Sequence, residues 1–212
     1  MPKAGRGKYL GFVAHEIKNP LATALWSCDL LKRMEGPERS GERAEKMLDV
    51  SLRALRRMRR LIDDFFTIER LLENAYELKR ERLSLRDLAE AAVQFLAEKE
   101  GIATEGWIVE VQGEVSGDAE MLRRALRSAI EHMARASPKP RLRVTSRPSG
   151  EGQELHIAAD APPAPVVPPE PEERQSGDPV GAVLGFALAV RILDAHGGRI
   201  EERDGGLSLY LP

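Results

Sequence analysis

The chain has 212 residues, of which 32 are Lys or Arg and 34 are Asp or Glu, so its net charge is -2. This balance gives no general attraction to nucleic acid or to an anionic membrane surface. A single cysteine, Cys28, excludes an intrachain disulfide framework and a cysteine-cluster metal site. No stretch reaches the roughly 18–20 apolar residues that cross a bilayer, and no signal-peptide pattern follows the basic start. We therefore expect a cytoplasmic protein of one large or two small domains, without room for a sensory module.

Two long helical patterns come first in the chain. They cover about residues 9–34 and 42–76, with Gly36-Pro37 and Ser40-Gly41 as breaks between them. Apolar residues recur at steps of three and four, as in packed helical bundles. These predicted seam residues are Leu10, Ala14, Ile17, Leu21, Ala24, Cys28 and Leu31, then Leu48, Leu55, Met58, Ile62, Phe65 and Leu72. A single hairpin buries one face poorly, so we expect a homodimer that forms a four-helix bundle.

The rest of the chain has a mixed α/β pattern. Strands are predicted near residues 82–85, 107–111, 142–146, 154–159, 200–203 and 207–211, the last two joined at Asp204-Gly205. Helices are predicted at 88–97, 118–136 and 185–196, the first of them starting at Ser84 and Asp87. Seven of the 14 prolines lie within residues 161–179, which predicts an extended segment. We expect an α+β fold, with a hairpin domain at 1–78 and a mostly antiparallel α/β sandwich at 79–212.

A short string in the first helix carries reactive side chains. His15 follows the seam residue Ala14, so its imidazole should face outward, where it is suited to accept a phosphoryl group. The adjacent Glu16 could hold the imidazole tautomer or take its proton. Asn19, at i+4 from His15, could orient a water or a phosphoryl oxygen, and Pro20 predicts a kink. Taken alone, a histidine followed by a glutamate is more often a solvated surface residue.

The complete string, His15-Glu16-Ile17-Lys18-Asn19-Pro20-Leu21, resembles the phosphoacceptor box of bacterial two-component sensor histidine kinases. The resemblance implies that His15 is phosphorylated, that Glu16 is the acid–base residue and that Asn19 positions water in a phosphatase reaction. It implies that the hairpin is a dimerisation and histidine-phosphotransfer domain and that the second half resembles the ATP-binding domain of that family. It also implies response-regulator receiver domains as partners. The candidate docking residues are Ala22, Leu25, Trp26 and Asp29, for which ordinary bundle packing is the alternative.

The first nucleotide motif of that family is only partly present. Glu131 matches the motif and Arg135 supplies a basic residue, but His132 occupies the position of the Asn that binds Mg²⁺. A neutral imidazole is a poor ligand for this hard cation, which prefers oxygen. Ser128 likewise stands where the family has an earlier Asn.

The other two nucleotide motifs are also altered. Asp160 is retained where the family binds adenine, but Pro162 and Ala164 replace the glycines that follow it. In the last motif, Gly181 and Gly185 remain as phosphate-loop glycines, with the bulky Val183 between them. The resemblance therefore predicts a degenerate nucleotide site that keeps the fold of the domain.

These observations lead to one main functional prediction and two alternatives. We expect phosphoryl exchange between His15 and receiver aspartates, as phosphotransfer, phosphatase activity or both, without efficient ATP use. No cofactor is expected to bind tightly, ATP and Mg²⁺ bind only if the degenerate site still works, and no metal site, nucleic acid or membrane partner is expected. The alternatives are a functioning ATP-dependent histidine autokinase and a non-catalytic scaffold or inhibitor of another kinase.

A basic run on the second helix has two interpretations. Five arginines fall within eight positions, at Arg53, Arg56, Arg57, Arg59 and Arg60. They could form a docking surface for an acidic partner or contact the phosphorylated site. Alternatively, they form a solvated helix face, which the neutral overall charge favours.

Overall fold

A computed structural model describes residues 6–135, 137, 139–150, 152–160 and 180–212. The chain divides into two compact units, one formed by residues up to Glu69 and the other by residues from Arg70 onward. The domain boundary between residues 78 and 79 stays a prediction. The proline-rich segment at 161–179 lies outside the described residues.

The first unit is the predicted helical hairpin. Helix α1 spans Arg6–Arg33, a 3-10 turn spans Gly36–Ser40, and helix α2 spans Glu42–Leu72. Gly36 has φ +52°, a backbone conformation that favours glycine. The Arg39 side chain in the turn donates hydrogen bonds to the carbonyls of Met34 (2.8 Å) and Lys32 (3.3 Å). These bonds satisfy carbonyl groups at the end of α1 that have no partner within the helix.

The hairpin buries a different stripe from the predicted seam. Ala24 and Met58 are buried as expected, whereas Leu21, Leu48, Leu55, Ile62 and Leu72 of the predicted seam are 40% to 51% exposed. Ala14 and Cys28 of the predicted seam are exposed as well. Contact between α1 and α2 of one chain therefore does not bury these seven residues, and their place in a four-helix bundle stays a prediction. The buried positions are Val13, Glu16, Pro20, Ala24 and Ser27 on α1, Met34 directly after α1, and Ala44, Ser51, Ala54, Met58, Leu61, Asp64, Thr67 and Ile68 on α2.

Helix α2 ends four residues before its predicted end. Asn74 adopts the left-handed conformation (φ +51°), and its N–H donates to the Leu71 carbonyl at 3.2 Å. The Ala75 N–H donates to the Arg70 carbonyl at 2.9 Å. This pair of hydrogen bonds is the Schellman arrangement that terminates helices. Asn is one of the few residues that tolerate the left-handed position, and the helical periodicity did not reveal the stop.

The second unit is an α/β sandwich, as predicted. Its elements are β1 (Arg80–Ser84), α3 (Leu85–Glu100), β2 (Ile108–Glu110), β3 (Glu114–Asp118), α4 (Ala119–Ala134), β4 (Leu142–Ser149), β5 (Gly152–Ala159), α5 (Val180–Ala195), β6 (Arg199–Arg203) and β7 (Gly206–Leu211). One sheet has the order β2-β4-β5-β7-β6, in which only β2 and β4 are parallel, and β1 pairs with β3 in a second antiparallel sheet.

Two of the predicted start and turn signals are confirmed. The Ser84 hydroxyl accepts a hydrogen bond from the Asp87 N–H at 3.2 Å and caps α3. Asp204 and Gly205 both have positive φ, as a two-residue hairpin turn requires. Strand β3 was not predicted, since its sequence Glu-Val-Ser-Gly-Asp has one large apolar residue and a glycine.

The core of the second unit lies between the larger sheet and the helices. Alternate residues of β5 and β7 are fully buried on the helix side of the sheet, and the helices meet them with apolar stripes. The main contributors are Leu155, Ile157, Leu207, Leu209, Leu122, Leu126, Ile130, Leu188 and Ile192. The opposite face of the sheet carries polar side chains, so each strand presents one buried and one polar face.

Candidate functional site

The reactive string of α1 places an exposed imidazole beside a buried carboxylate. The His15 side chain is 71% exposed, whereas Glu16 is 5% exposed. The distance from His15 Nδ1 to Glu16 Oε1 is 3.6 Å, which is longer than a hydrogen bond but close enough for electrostatic interaction. A carboxylate on this side favours a proton on Nδ1, so Nε2 is the ring nitrogen with a free lone pair.

The next turn of α1 has unusual backbone bonding. Pro20 lies inside the helix and has no N–H for the carbonyl of Glu16, four residues earlier. The Thr23 hydroxyl donates to the Asn19 carbonyl at 3.0 Å, a type of hydrogen bond that often bends helices. Asn19 is exposed at i+4 from His15, so both side chains lie on the same face of α1.

The candidate docking residues continue this face of α1. His15, Asn19, Ala22, Trp26 and Asp29 follow steps of four, three, four and three, which form one stripe on a helix. All four docking candidates are exposed, and Leu25, beside the stripe, and Trp26 are each 59% exposed. Packing within one chain therefore does not bury them. Their docking role stays a prediction.

Two candidate nucleotide residues at the end of α4 bind each other. Arg135 Nε donates to Glu131 Oε1 at 3.2 Å, and a second guanidinium nitrogen donates to the same oxygen. The two residues are one helical turn apart, and Glu131 is the more buried partner. The structure therefore uses Arg135 in an ion pair within α4.

His132, at the position that the family resemblance gives to the magnesium-binding Asn, is half-buried between α4 and α5. Both ring nitrogens are buried without a hydrogen-bond partner. The ring lies against Phe186 of α5, with centroids 4.7 Å apart and an angle of 39° between the planes. Burial lowers the pKa of His132, and the nearby Glu202 opposes this effect only in part. A buried neutral imidazole stacked on a phenyl ring does not fit Mg²⁺, which prefers oxygen ligands.

The glycine motif also lies in a helix–helix contact. Helix α5 begins at Val180, so the prediction that it begins at residue 185 was wrong, and Gly181 and Gly185 both lie inside it. A Cβ at Gly185 would lie 3.4 Å from the Ser128 hydroxyl of α4, and Ser128 is 5% exposed. The structure thus brings together Ser128 with Gly185 and His132 with Phe186, by packing α4 on α5.

Asp160 belongs to neither α4 nor α5. It follows β5 directly, its side chain is exposed, and its N–H donates to the Arg141 carbonyl at 3.3 Å. Pro162 and Ala164, which follow it in the motif, lie outside the described residues. Among the residues that the structure describes, no three His, Cys, Asp or Glu side chains are grouped closely enough to hold a metal ion.

Sequence reasoning missed two features of the second unit. The first is Phe186, which is 7% exposed and fills the space beside His132.

The second missed feature is a polar cluster around a pocket of about 170 Å³ on the outer face of the sheet. There, Arg147 Nε and the Ser208 hydroxyl each donate to the buried Glu154 at 2.8 Å, and Arg147 holds the pKa of that carboxyl below its usual value. His156 Nδ1 lies 3.0 Å from the Ser208 hydroxyl. The alternation of Glu154 and His156 with Leu155 and Ile157 is the sequence signal for this polar face.

No helix within the described ranges combines the length and the apolar character that crossing a membrane requires.

Residues 6–74 match the family described as His Kinase A (phospho-acceptor) domain. The sensor histidine kinase CusS of Escherichia coli O157:H7 is 24% identical over 203 residues, which cover 89% of this chain and 40% of CusS. The chain therefore spans about two fifths of the length of this relative.

Two solved structures share the fold. The histidine kinase AdeS of Acinetobacter baumannii superposes with a TM-score of 0.67 at 16% identity, over 93% of this chain and 96% of AdeS. The histidine kinase ThkA, in complex with the response regulator protein TrrA, superposes with a TM-score of 0.59 at 20% identity, over 99% of this chain and 64% of ThkA. Residues 6–74 thus match the His Kinase A phosphoacceptor family, and the sequence of the chain is similar to those of sensor histidine kinases.

Proposed function

We propose that this chain exchanges phosphoryl groups between His15 and the aspartates of response-regulator receiver domains, without efficient use of ATP. The observation that carries the proposal is the 71% exposed His15 imidazole beside the buried Glu16 carboxylate, within an unbroken phosphoacceptor string. The complex of the related ThkA with the response regulator TrrA supports receiver domains as partners. A cytoplasmic location agrees with partners of this kind.

The arrangement suits attack by the histidine on an aspartyl phosphate. The Nε2 lone pair of His15 attacks phosphorus, the bond between phosphorus and the aspartate oxygen breaks, and its electron pair returns to the carboxylate. The imidazole becomes a cation that keeps its proton on Nδ1, and the Glu16 carboxylate stabilises that charge. The reverse sequence passes the phosphoryl group to the aspartate of a second receiver.

The same face supports a hydrolytic reaction. Asn19 would hold a water molecule in line with the phosphorus of the receiver's aspartyl phosphate. The water oxygen bonds to phosphorus, the aspartate carboxylate leaves, and the released proton goes to solvent. Because an acyl phosphate supplies the phosphoryl group in both reactions, neither reaction needs a nucleotide.

The packing of α4 on α5 supports the absence of efficient ATP use. His132 offers a buried neutral ring in place of an oxygen ligand, and Phe186 occupies the space beside it. Metal and phosphate contacts supply most of the catalysis of phosphoryl transfer from nucleotides. Without an oxygen ligand at position 132, a large part of that stabilisation is missing.

We also propose that the chain forms a homodimer through its hairpin. Nine large apolar residues of the hairpin are 40% to 60% exposed, and they are Leu21, Leu25, Trp26, Leu48, Leu52, Leu55, Ile62, Phe66 and Leu72. This much exposed apolar surface is typical of a protein–protein interface. The irregular residues between α2 and β1 support a domain boundary at 78/79, which limited proteolysis would test by cleavage there.

The proposal is tested by following radiolabelled phosphate. Purified receiver domains, charged with a labelled small-molecule phosphodonor, should label the wild-type chain, and His15→Gln should reduce labelling by at least about 1000-fold. His156→Gln is the matched control and should leave labelling unchanged. Receiver dephosphorylation that survives His15→Gln but is lost in Asn19→Ala would assign phosphatase action.

Two outcomes contradict the proposal. Strong labelling by ATP and Mg²⁺ that is lost in His15→Gln would establish the autokinase alternative. Failure to exchange phosphoryl groups with any receiver, under conditions that phosphorylate the receivers themselves, would leave the scaffold alternative.

A further inference from the structure

We propose that the polar pocket on the outer face of the larger sheet binds a small zwitterion, an α-amino acid. The pocket has a volume of about 170 Å³ and is lined by residues of β4, β5, β6 and β7 and of the turn between β6 and β7. Because a water molecule takes up about 30 Å³ in the liquid, this volume suits a ligand of about six non-hydrogen atoms. The inference goes beyond the proposed function, since it involves neither His15 nor a receiver domain.

The strand register places the lining side chains next to one another. His156 of β5 pairs with Thr145 of β4 and with Ser208 of β7. One row further along the sheet, Glu154 of β5 pairs with Arg147 of β4. Paired residues, and residues two positions apart on a strand, point to the same face of a sheet. These five side chains therefore share the outer face, away from the helices.

A chain of hydrogen bonds fixes the inner wall of the pocket. Arg147 Nε donates to Glu154 Oε2 and the Ser208 hydroxyl donates to Glu154 Oε1, both at 2.8 Å. Because the hydroxyl gives its hydrogen to Glu154, its oxygen accepts from His156 Nδ1 at 3.0 Å. Glu154 and Ser208 are both buried. The charge of Glu154 is therefore compensated within the protein and is not available to a ligand.

Three other charged side chains of the lining can contact a ligand. A guanidinium has five N–H donors, and Arg147 uses only its Nε and one Nη nitrogen on Glu154. Arg203 ends β6 opposite Gly206, and Asp204 follows it in the turn with φ +53°. Both side chains are exposed, and Arg203 Nε lies 3.5 Å from Asp204 Oδ2, which is longer than a typical hydrogen bond. The turn thus presents a cation and an anion side by side.

The balance of charge identifies the class of ligand. The lining has two arginines and two carboxylates, so its formal charges sum to zero with a neutral His156. Asp204 would repel a simple anion, and the two arginines would repel a simple cation. A zwitterion satisfies both, because its carboxylate accepts from Arg147 and Arg203 while its ammonium group donates to Asp204. An α-amino acid carries both groups on one carbon atom, which matches the adjacent charges of the turn.

The test is a titration of the full chain with L-alanine at neutral pH. The amide NMR signals of Gly205 and Gly206 report binding, because both residues lie at the turn beside the pocket. Acetate supplies the anionic group alone, and ethylamine supplies the cationic group alone. We expect the shifts to saturate with alanine, at a dissociation constant at least about 10-fold lower than for either fragment, since each fragment lacks the hydrogen bonds of one charged group.

Two substitutions in the turn locate the binding site. Arg203→Gln and Asp204→Asn should each raise the dissociation constant of alanine by at least about 10-fold. Asn tolerates the left-handed backbone at position 204, so the turn is kept. The matched controls are Arg199→Gln on β6 and Asp194→Asn on α5, which make the same changes of charge outside the lining and should leave binding unchanged. The dispersion of the amide spectrum checks that each variant folds.

Three results would overturn the inference. Acetate or ethylamine that binds as tightly as alanine would show that the pocket does not select a zwitterion. Binding that both turn variants retain would place the ligand elsewhere on the chain. Alanine that produces no saturable shift at Gly205 or Gly206 would exclude the site. None of these measurements uses phosphoryl exchange, so this inference and the proposed function can fail separately.

Discussion

In the helical hairpin the motif residues stand at the surface, whereas in the second unit they lie between packed helices. His15 is 71% exposed, but His132 has both ring nitrogens buried and stacks on Phe186. Exposure gives the first histidine access to a protein partner, while burial gives the second a role in the core. The comparison shows that the same type of side chain is available to a protein partner at one position and unavailable at the other, because its surroundings differ.

The largest expected effect concerns the exposed apolar residues of α2, among them Leu48, Leu55 and Ile62. Leu55→Glu/Ile62→Glu places two carboxylates on a surface that a partner copy would bury. We expect the dissociation constant of the homodimer to rise by at least about 100-fold, since buried unpaired charges are costly. Analytical ultracentrifugation over a concentration series measures this change. Arg56→Glu, on the outer surface of α2, is the control, and a wild-type chain that is monomeric at micromolar concentration would refute the dimer.

The next effect tests whether Phe186 belongs to a core or to a binding site. Phe186→Ala removes a ring that is 7% exposed, and we expect the free energy of unfolding of the second unit to fall by about 3 kcal/mol. Val190→Ala, at a 37% exposed position of the same helix, should cost less than about 1 kcal/mol.

The measurement is urea unfolding followed by the fluorescence of Trp107, in a Trp26→Phe background. Trp107 reports on the second unit because its Nε1 donates to the Pro140 carbonyl at 2.8 Å. Adding ATP and Mg²⁺ should leave the wild-type midpoint unchanged. A midpoint that rises with nucleotide concentration would show that the second unit binds nucleotide. Both units would then carry an accessible site.

A smaller effect comes from a second buried histidine, His196. Its Nε2 accepts the Asp118 N–H at 3.0 Å, and its Nδ1 lies 2.7 Å from the Ile192 carbonyl, so the neutral ring serves both bonds. Burial lowers the pKa of His196, with Arg80 acting in the same direction and the Ile192 carbonyl and Asp118 in the opposite one.

Because the folded-state pKa is lowered, the unfolded chain binds more protons as the pH falls below about 6.5. The free energy of unfolding should therefore be highest above that pH and decrease on acidification, by at most about 1.4 kcal/mol per pH unit for this group. Urea unfolding between neutral and mildly acidic pH measures the slope. His196→Gln should flatten it, whereas His156→Gln should not. A slope unchanged by His196→Gln would contradict this assignment.

Local signals in the sequence predicted the local features of both regions. The Ser84 cap, the Asp204-Gly205 turn and the outward direction of His15 each depend on a few neighbouring residues, and the structure confirms all three. These features follow from residue type and spacing alone.

Features that depend on contacts distant in sequence were not predicted. The contact of His132 with Phe186 joins residues that are 54 positions apart, and no local pattern specifies it. The contact between α1 and α2 leaves Leu55 exposed, since periodicity shows that a helix has an apolar side but not which neighbour covers it.

The smallest expected effect is the change in stability on replacing His132, and it tests whether this histidine, unlike His15, has only a packing role. His132→Leu replaces two unpartnered buried nitrogens with apolar atoms in a side chain of similar volume. The free energy of unfolding should stay unchanged or rise by up to about 1 kcal/mol, because no hydrogen bond is lost. His196→Leu is the matched control and should cost at least about 2 kcal/mol, since it leaves the Asp118 N–H without an acceptor. A loss of stability in His132→Leu as large as in the control would mean that the imidazole nitrogens serve a polar role. Position 132 would then be a site rather than a part of the core.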